Sequence, residues 1–202
     1  KNYPDFLEAL SYYDCPGQNF IYADIDGNIG MYHRGKTPIR CGKGVLPGDS
    51  SEYLWEYNDT SKFIPDRHLP KILNPDIGYV SSANQYPVNE DYPYYLAGKY
   101  WPAYRGSRIN DELKIFIDKE DGVTVEDMIS IQNDSYNKFA KIILPDLLKS
   151  IKDSVLNHSN QDLLIIYDSL KVWGDNPFHL ENRFEPLIFD EWIDNINQAV
   201  WK

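Results

Sequence analysis

Apolar positions follow two different periods in the two halves of this chain. Near the start, Phe6, Leu7 and Leu10 are spaced by three and four, and Pro4 suits a first helical turn. That spacing predicts a short helix, closed by the stretch 13–17. The period then drops to two. Residues 20–24 read as a strand, Asp26-Gly27 as a tight turn, and 28–33 as the returning strand of a hairpin. The stretch 46–73 is rich in Pro, Gly and Asp around the apolar island Tyr53-Leu-Trp-Glu-Tyr. It predicts an irregular excursion containing one strand, then a helical turn near 66–69. Asn74-Pro75 biases Asn74 to extended geometry, Gly78 permits a reversal, and Tyr79, Val80 and the small residues 81–83 predict a short strand.

From Ser107 the helical period takes over. Ile109, Leu113, Phe116 and Ile117 form one stripe, with Ser107 as its cap and 119–122 as its end. Thr124 caps a second helix, with Glu126 and Asp127 facing the positive end of its dipole. The stripe Met128, Ile131, Tyr136, Phe139 predicts that this helix runs on to Pro145, which forces a kink or a restart before Leu147, Leu148 and Ile151. Further helices are predicted over 162–173, stopped by Gly174, and over 185–201, with Pro186 near its start. The expected class is α+β: antiparallel strands and a hairpin in the first half, packed with a helical second half. Residues 1–202 read as one domain, with 1–106 mainly strands and loops behind the N-terminal helix and 107–202 mainly helical.

Composition narrows the partners. A net charge of −11 opposes binding to nucleic acid or anionic lipid, and no apolar run reaches bilayer-spanning length. Within 33–43, His33, Arg34, Lys36, Arg40 and Lys43 gather among glycines, which reads as a solvated basic loop; no Gly-Lys-Ser or Gly-Lys-Thr follows to make a phosphate cradle. Cys15 and Cys41 have no companion Cys or His at metal-ligand spacing. One disulfide or two buried thiols are the readings they allow, with buried thiols preferred. Tyrosine is abundant, 16 residues, and much of it lies within 79–104, where phenols suit a surface with a dry side and a wet side.

The chemistry of interest lies within 74–108. There the predicted strand ends on Asn84-Gln85, and Arg105 follows an aromatic run at the start of a helix. A carboxamide at a strand tip among small residues can direct a neutral N–H donor into a cavity, the group type that holds an oxyanion in acyl transfer. Equally, an Asn-Gln pair suits a plain turn, and an Arg at a helix start suits a surface carboxylate. Asp24 and Asp26 look like a carboxylate pair, but turn propensity explains Asp26, and His68 has no local Ser or Cys partner, so both are read as structural.

Four ordered segments carry a family resemblance across most of the chain. They are Asn19-Phe-Ile-Tyr-Ala-Asp-Ile-Asp-Gly-Asn-Ile-Gly-Met-Tyr, then Asn74-Pro-Asp-Ile-Gly-Tyr-Val-Ser-Ser-Ala-Asn-Gln with Asp91-Tyr-Pro, then Trp101-Pro-Ala-Tyr-Arg-Gly-Ser-Arg-Ile, and Thr124-Val-Glu-Asp-Met with Ile131-Gln-Asn-Asp. Together they resemble the β-subunit of the penicillin acylase family, amidohydrolases with an N-terminal nucleophile and a four-layer αββα fold. The resemblance implies amide hydrolysis in which the α-amino group of an N-terminal Ser serves as base for its own hydroxyl, giving an acyl-enzyme. It implies that Asn84 donates to the oxyanion and that Arg105 holds Asn84 by hydrogen bonds, with the Asp91-Tyr92-Pro93 turn between them.

Two departures qualify the resemblance. Lys1 carries neither hydroxyl nor thiol, so the chain reads as an internal piece of a β-subunit, inert alone. Its expected partners are the α-subunit, the N-terminal part of the β-subunit and a small acyl-amide substrate; the isolated piece is expected to self-associate. Some members carry a calcium-binding Asp shortly after the Asp-Tyr-Pro turn, but Tyr94, Tyr95 and Leu96 follow here, so no cofactor or metal is expected within the chain and calcium only in the complete protein. The family implies a periplasmic or extracellular location, with a cytoplasmic one also open. A non-catalytic module binding sugars or acyl groups through its aromatics is the alternative; a glycosidase would need a carboxylate arrangement that nothing here singles out.

Overall fold

The computed structural model of the chain describes residues 2–39, 62–96 and 98–201. The apolar island at 53–57, together with Arg40, Cys41 and Lys43, lies outside them. The chain is α+β and divides into two compact units, Lys1–Gly106 with Leu113–Asp118, and Ser107–Glu112 with Lys119–Lys202.

In the first unit, helix α1 (Tyr3–Ser11) starts on a reciprocal cap: Asn2 accepts from the Asp5 amide, and the Asp5 carboxylate accepts from that of Asn2. Strands β1 (Gln18–Ala23), β2 (Ile29–Arg34) and β3 (Lys71–Leu73) form an antiparallel sheet in that order. The β1–β2 turn is the expected one, with Gly27 at φ 84, and Asp24 organises it by accepting from the Asp26 and Asn28 amides and from the Tyr22 hydroxyl. Burial first, then that hydrogen bond, pushes the Tyr22 phenol up to about 12. The Tyr22 ring packs on Tyr3 and Phe6 of α1, at 5.2 and 4.9 Å. A 3-10 turn at Asp66–His68 precedes β3, a strand that the apolar pattern missed.

Several expectations are corrected here. Arg34 is buried, not solvated: it donates to the Leu10 and Ser11 carbonyls at the end of α1 and pairs with Asp66. Lys36 pairs with Asp14 at 3.1 Å. The Cys15 thiol is exposed and free rather than buried. Asn74 is left-handed at φ 47 instead of extended, because its side chain accepts from the Ile29 amide and donates to Asn28 across the hairpin mouth. Residues 79–83 form no strand.

In the second unit, α4 (Lys138–Leu156), α5 (Gln161–Asp175) and α6 (Glu185–Val200) enclose Ala140, Leu144, Leu148, Leu170, Trp173 and Phe189. Pro145 sits within α4, which neither stops nor restarts there. Helix α3 (Val125–Gln132) carries the expected cap by Thr124 but ends before Tyr136, so the single long helix divides in two. Asn137 caps α4, while Tyr136 bridges Phe178 and the Asn137 amide donates to the Pro177 carbonyl, which takes Tyr136 and Asn137 out of the helical ladder. Helix α2 (Tyr104–Ile117) contributes residues to both units. It begins at Tyr104, so Ser107 is not its cap; the Ser107 hydroxyl instead accepts from Lys138. No described helix is long and apolar enough to cross a membrane.

Candidate active site

The first unit brings Asn84 and Arg105 together although 21 residues separate them. Asn84 occupies the left-handed region, φ 61, which asparagine tolerates better than other residues with a Cβ. Arg105 lies in the first turn of α2, where the helix dipole disfavours a cation. Two acceptors offset that cost. One guanidinium nitrogen, Nη2, donates to Asn84 Oδ1 at 2.6 Å and to the Ala83 carbonyl at 2.7 Å.

This contact fixes the direction of the carboxamide. A guanidinium can only donate, so the end of Asn84 that faces it is the oxygen. The Nδ2 amide is therefore turned away from Arg105, as a donor for another acceptor. A cation on Oδ1 also draws electron density from nitrogen, which strengthens the remaining N–H donors.

The turn around Asn84 is held at three further points. The Trp101 amide donates to the Asn84 carbonyl at 2.9 Å. The Ala83 amide donates back to Gln85 Oε1 at 2.8 Å. Gln85 in turn lies against Gly106, where an added Cβ would stand 3.2 Å from Oε1. Finally, Asn19 Nδ2 donates to Ser82 Oγ at 2.8 Å, and Asn19 Oδ1 meets His33 Nδ1 at 2.8 Å. Because the Asn19 amide faces Ser82, its oxygen faces His33, so Nδ1 carries the imidazole proton. Burial holds the His33 imidazole below its ordinary pKa, which favours that neutral ring.

These contacts also explain why 79–83 is not a strand. The Ala83 amide and carbonyl, which a ladder would have used, are taken by the side chains of Gln85 and Arg105. Sequence reasoning named Asn84 and Arg105 but passed over Asn19, Ser82, Gly106 and the role of Gln85. Cross-strand pairing of Asn19 with His33 was implicit in the hairpin register and would have flagged that pair.

The other candidates are accounted for elsewhere. Asp24 belongs to its turn. The Arg67 Nε donates to His68 Nε2 at 3.2 Å, and His68 Nδ1 meets the Tyr94 hydroxyl at 2.7 Å, a structural pairing. Within the 91–93 segment, the Tyr92 hydroxyl donates to the His68 carbonyl at 2.8 Å. After that turn, Tyr94 is engaged by His68, and Leu96 is buried in an apolar cluster with Ile64 and Leu69. Among the described residues no three His, Cys, Asp or Glu side chains converge on a metal-sized site.

Comparison with known proteins follows the same lines. A family model described as penicillin amidase matches residues 1–202. Penicillin acylase 2 proenzyme from Pseudomonas sp. (strain SE83) is 26% identical over 170 residues, covering 82% of this chain and 21% of that protein. Penicillin G acylase from Escherichia coli is 34% identical over 79 residues, covering 37% of this chain and 8% of that protein. The chain thus spans about a fifth or less of the length of these curated relatives. A solved structure of a thermostable penicillin G acylase from Alcaligenes faecalis matches 98% of this chain and 35% of its own, with a TM-score of 0.61 at 19% identity, a likeness of fold.

Proposed function

Because the chain belongs to the penicillin amidase family, we propose that it is the part of an amidohydrolase that supplies the oxyanion donor, Asn84, and its holder, Arg105. In this reading the nucleophile and the remainder of the substrate site come from the rest of a longer protein, of which these residues form a fraction. Attack of the nucleophile on the amide carbonyl carbon places a negative charge on the carbonyl oxygen. Asn84 Nδ2 donates a hydrogen bond to that oxygen, and the Arg105 charge behind the carboxamide strengthens the bond as the charge grows. Collapse of the tetrahedral species expels the amine and leaves an acyl-enzyme. Water then attacks the acyl carbon, passing again through an oxyanion that Asn84 stabilises, and releases the carboxylic acid with the nucleophile restored. No step of this scheme is assigned to a metal within these residues.

The supporting observation is the 2.6 Å contact that turns the Asn84 oxygen toward Arg105 and its nitrogen away. The test is Asn84→Ala in the complete, processed protein, assayed on phenylacetyl and aliphatic amides of a chromogenic amine. Turnover should fall by about 10²–10³ with a smaller change in KM. Processing is followed separately on a gel, since self-cleavage draws on similar stabilisation. A correctly processed variant that keeps turnover within about threefold of the parent overturns the assignment.

A further inference from the structure

We infer that Asn19, set by His33, is a positioning residue for the Asn84 donor, so that the β1–β2 sheet and the turn carrying Asn84 act as one unit. The inference rests on the oxyanion reading above. Among the described tethers on the 82–85 turn, those from Gln85, Trp101 and Arg105 come from the turn itself, from the segment leading into α2 and from the first turn of α2. Asn19 is the tether from the sheet, and it crosses 63 residues of sequence to reach Ser82.

The geometry of that tether is set from behind. Asn19 on β1 stands opposite His33 on β2 in the ladder, which places the two side chains on one face. The His33 ring is bounded by Gly17, where an added Cβ would meet Nε2 at 3.3 Å. Asn19 Oδ1 thus lies 2.8 Å from His33 Nδ1 while its Nδ2 donates to Ser82 Oγ at 2.8 Å, so one carboxamide joins the His33 ring to the turn. Ser82 lies two residues before Asn84. A shift of its backbone by a few tenths of an ångström carries through Ala83 to the carboxamide. An oxyanion donor is sensitive on that scale, because its benefit depends on being in place before charge develops.

The experiment is a double-mutant cycle in the complete, processed enzyme, read as kcat and KM separately. Asn19→Ala and Ser82→Ala should each lower kcat by about tenfold and leave KM within about threefold. In an Asn84→Ala background the same substitutions should have no further effect on kcat, because they act through Asn84. Ser82→Ala removes only a hydroxyl from an exposed residue, so it carries the test if Asn19→Ala fails to fold. A kcat within about twofold of the parent for both single variants overturns the inference, and so does a tenfold loss that persists undiminished beside Asn84→Ala. Either result leaves the oxyanion reading standing. An Asn84→Ala enzyme with near-parental turnover overturns both together.

Discussion

Arg105 holds the oxygen end of the Asn84 carboxamide at 2.6 Å and, through the same nitrogen, the Ala83 carbonyl at 2.7 Å. A surface arginine serving only solubility would not share one nitrogen between two acceptors of a left-handed turn. Removing the side chain frees the carboxamide to flip and removes the polarising charge. Arg105→Ala in the complete enzyme should therefore lower kcat by about 10–10²-fold, less than loss of the donor itself, with little change in KM. Arg105→Lys keeps the charge without the planar fork and should recover part of the loss. Steady-state kinetics on a chromogenic amide check both; equal activity of Arg105→Ala and the parent contradicts the role.

Gly106 makes a second prediction about the same turn. An added Cβ there would stand 3.2 Å from Gln85 Oε1 and 3.3 Å from Cδ, tight enough to push Gln85 off the Ala83 amide. Within a helix, Gly→Ala ordinarily stabilises by about 0.5–1 kcal/mol. Gly106→Ala alone should show none of that gain. Beside Gln85→Ala, which removes the obstacle, the same change should stabilise by about that amount. Thermal denaturation of the four proteins in the cycle measures it.

How far these features were legible depends on whether they are local. The Asp26-Gly27 turn, the Thr124 cap and the helices over α4, α5 and α6 follow from neighbouring residues, and the structure carries them. The break between α3 and α4 was lost because an apolar stripe was followed through Asn133, Asp134 and Asn137. In fact Asp134 accepts from the Tyr136 amide and from Arg108, while Asn137 caps a new helix. The strand over 79–83 failed for the converse reason: at its end the Ala83 carbonyl is taken by a side chain distant in sequence, that of Arg105. Asn84 and Arg105 were picked out by resemblance to a family. Nothing within 84–105 indicates by itself that the two side chains meet.

Asp127 offers a pH-dependent check on the second unit. The Lys119 ammonium, then the Thr124 amide, hold its carboxyl at about 2, below an ordinary value of 3.8. A depressed folded value means that the cap contributes its stability above the unfolded value near 3.8, and that this contribution is lost as pH falls through about 2. A carboxyl-detected NMR titration should place Asp127 near the lower figure. Lys119→Met should move it upward. An Asp127 that titrates at the ordinary value in the parent protein refutes the pairing.

Gly174 was expected to stop α5, yet the helix continues through Asp175. The reason for a glycine there is packing rather than termination. An added Cβ would lie 3.0 Å from Leu144 Cδ2 and 3.6 Å from Cγ, and Leu144 is fully buried between the helices. The end of the helix is held instead by Lys141, whose ammonium donates to the Gly174 and Asp175 carbonyls at 3.3 and 2.7 Å. Two opposing terms then act on Gly174→Ala. Helix propensity favours it by about 1 kcal/mol, while overpacking against a fully buried leucine costs about 1–3 kcal/mol. The net should be destabilising by about 1 kcal/mol. Leu144→Ala alone should cost about 2–5 kcal/mol through the cavity it leaves. In that enlarged space the Cβ no longer collides, so Gly174→Ala should change sign and stabilise the Leu144→Ala protein by up to about 1 kcal/mol. Urea denaturation of the two single variants and the double variant decides it: a Gly174→Ala effect of the same sign in both backgrounds would show that Leu144 is not what keeps this position free of a side chain.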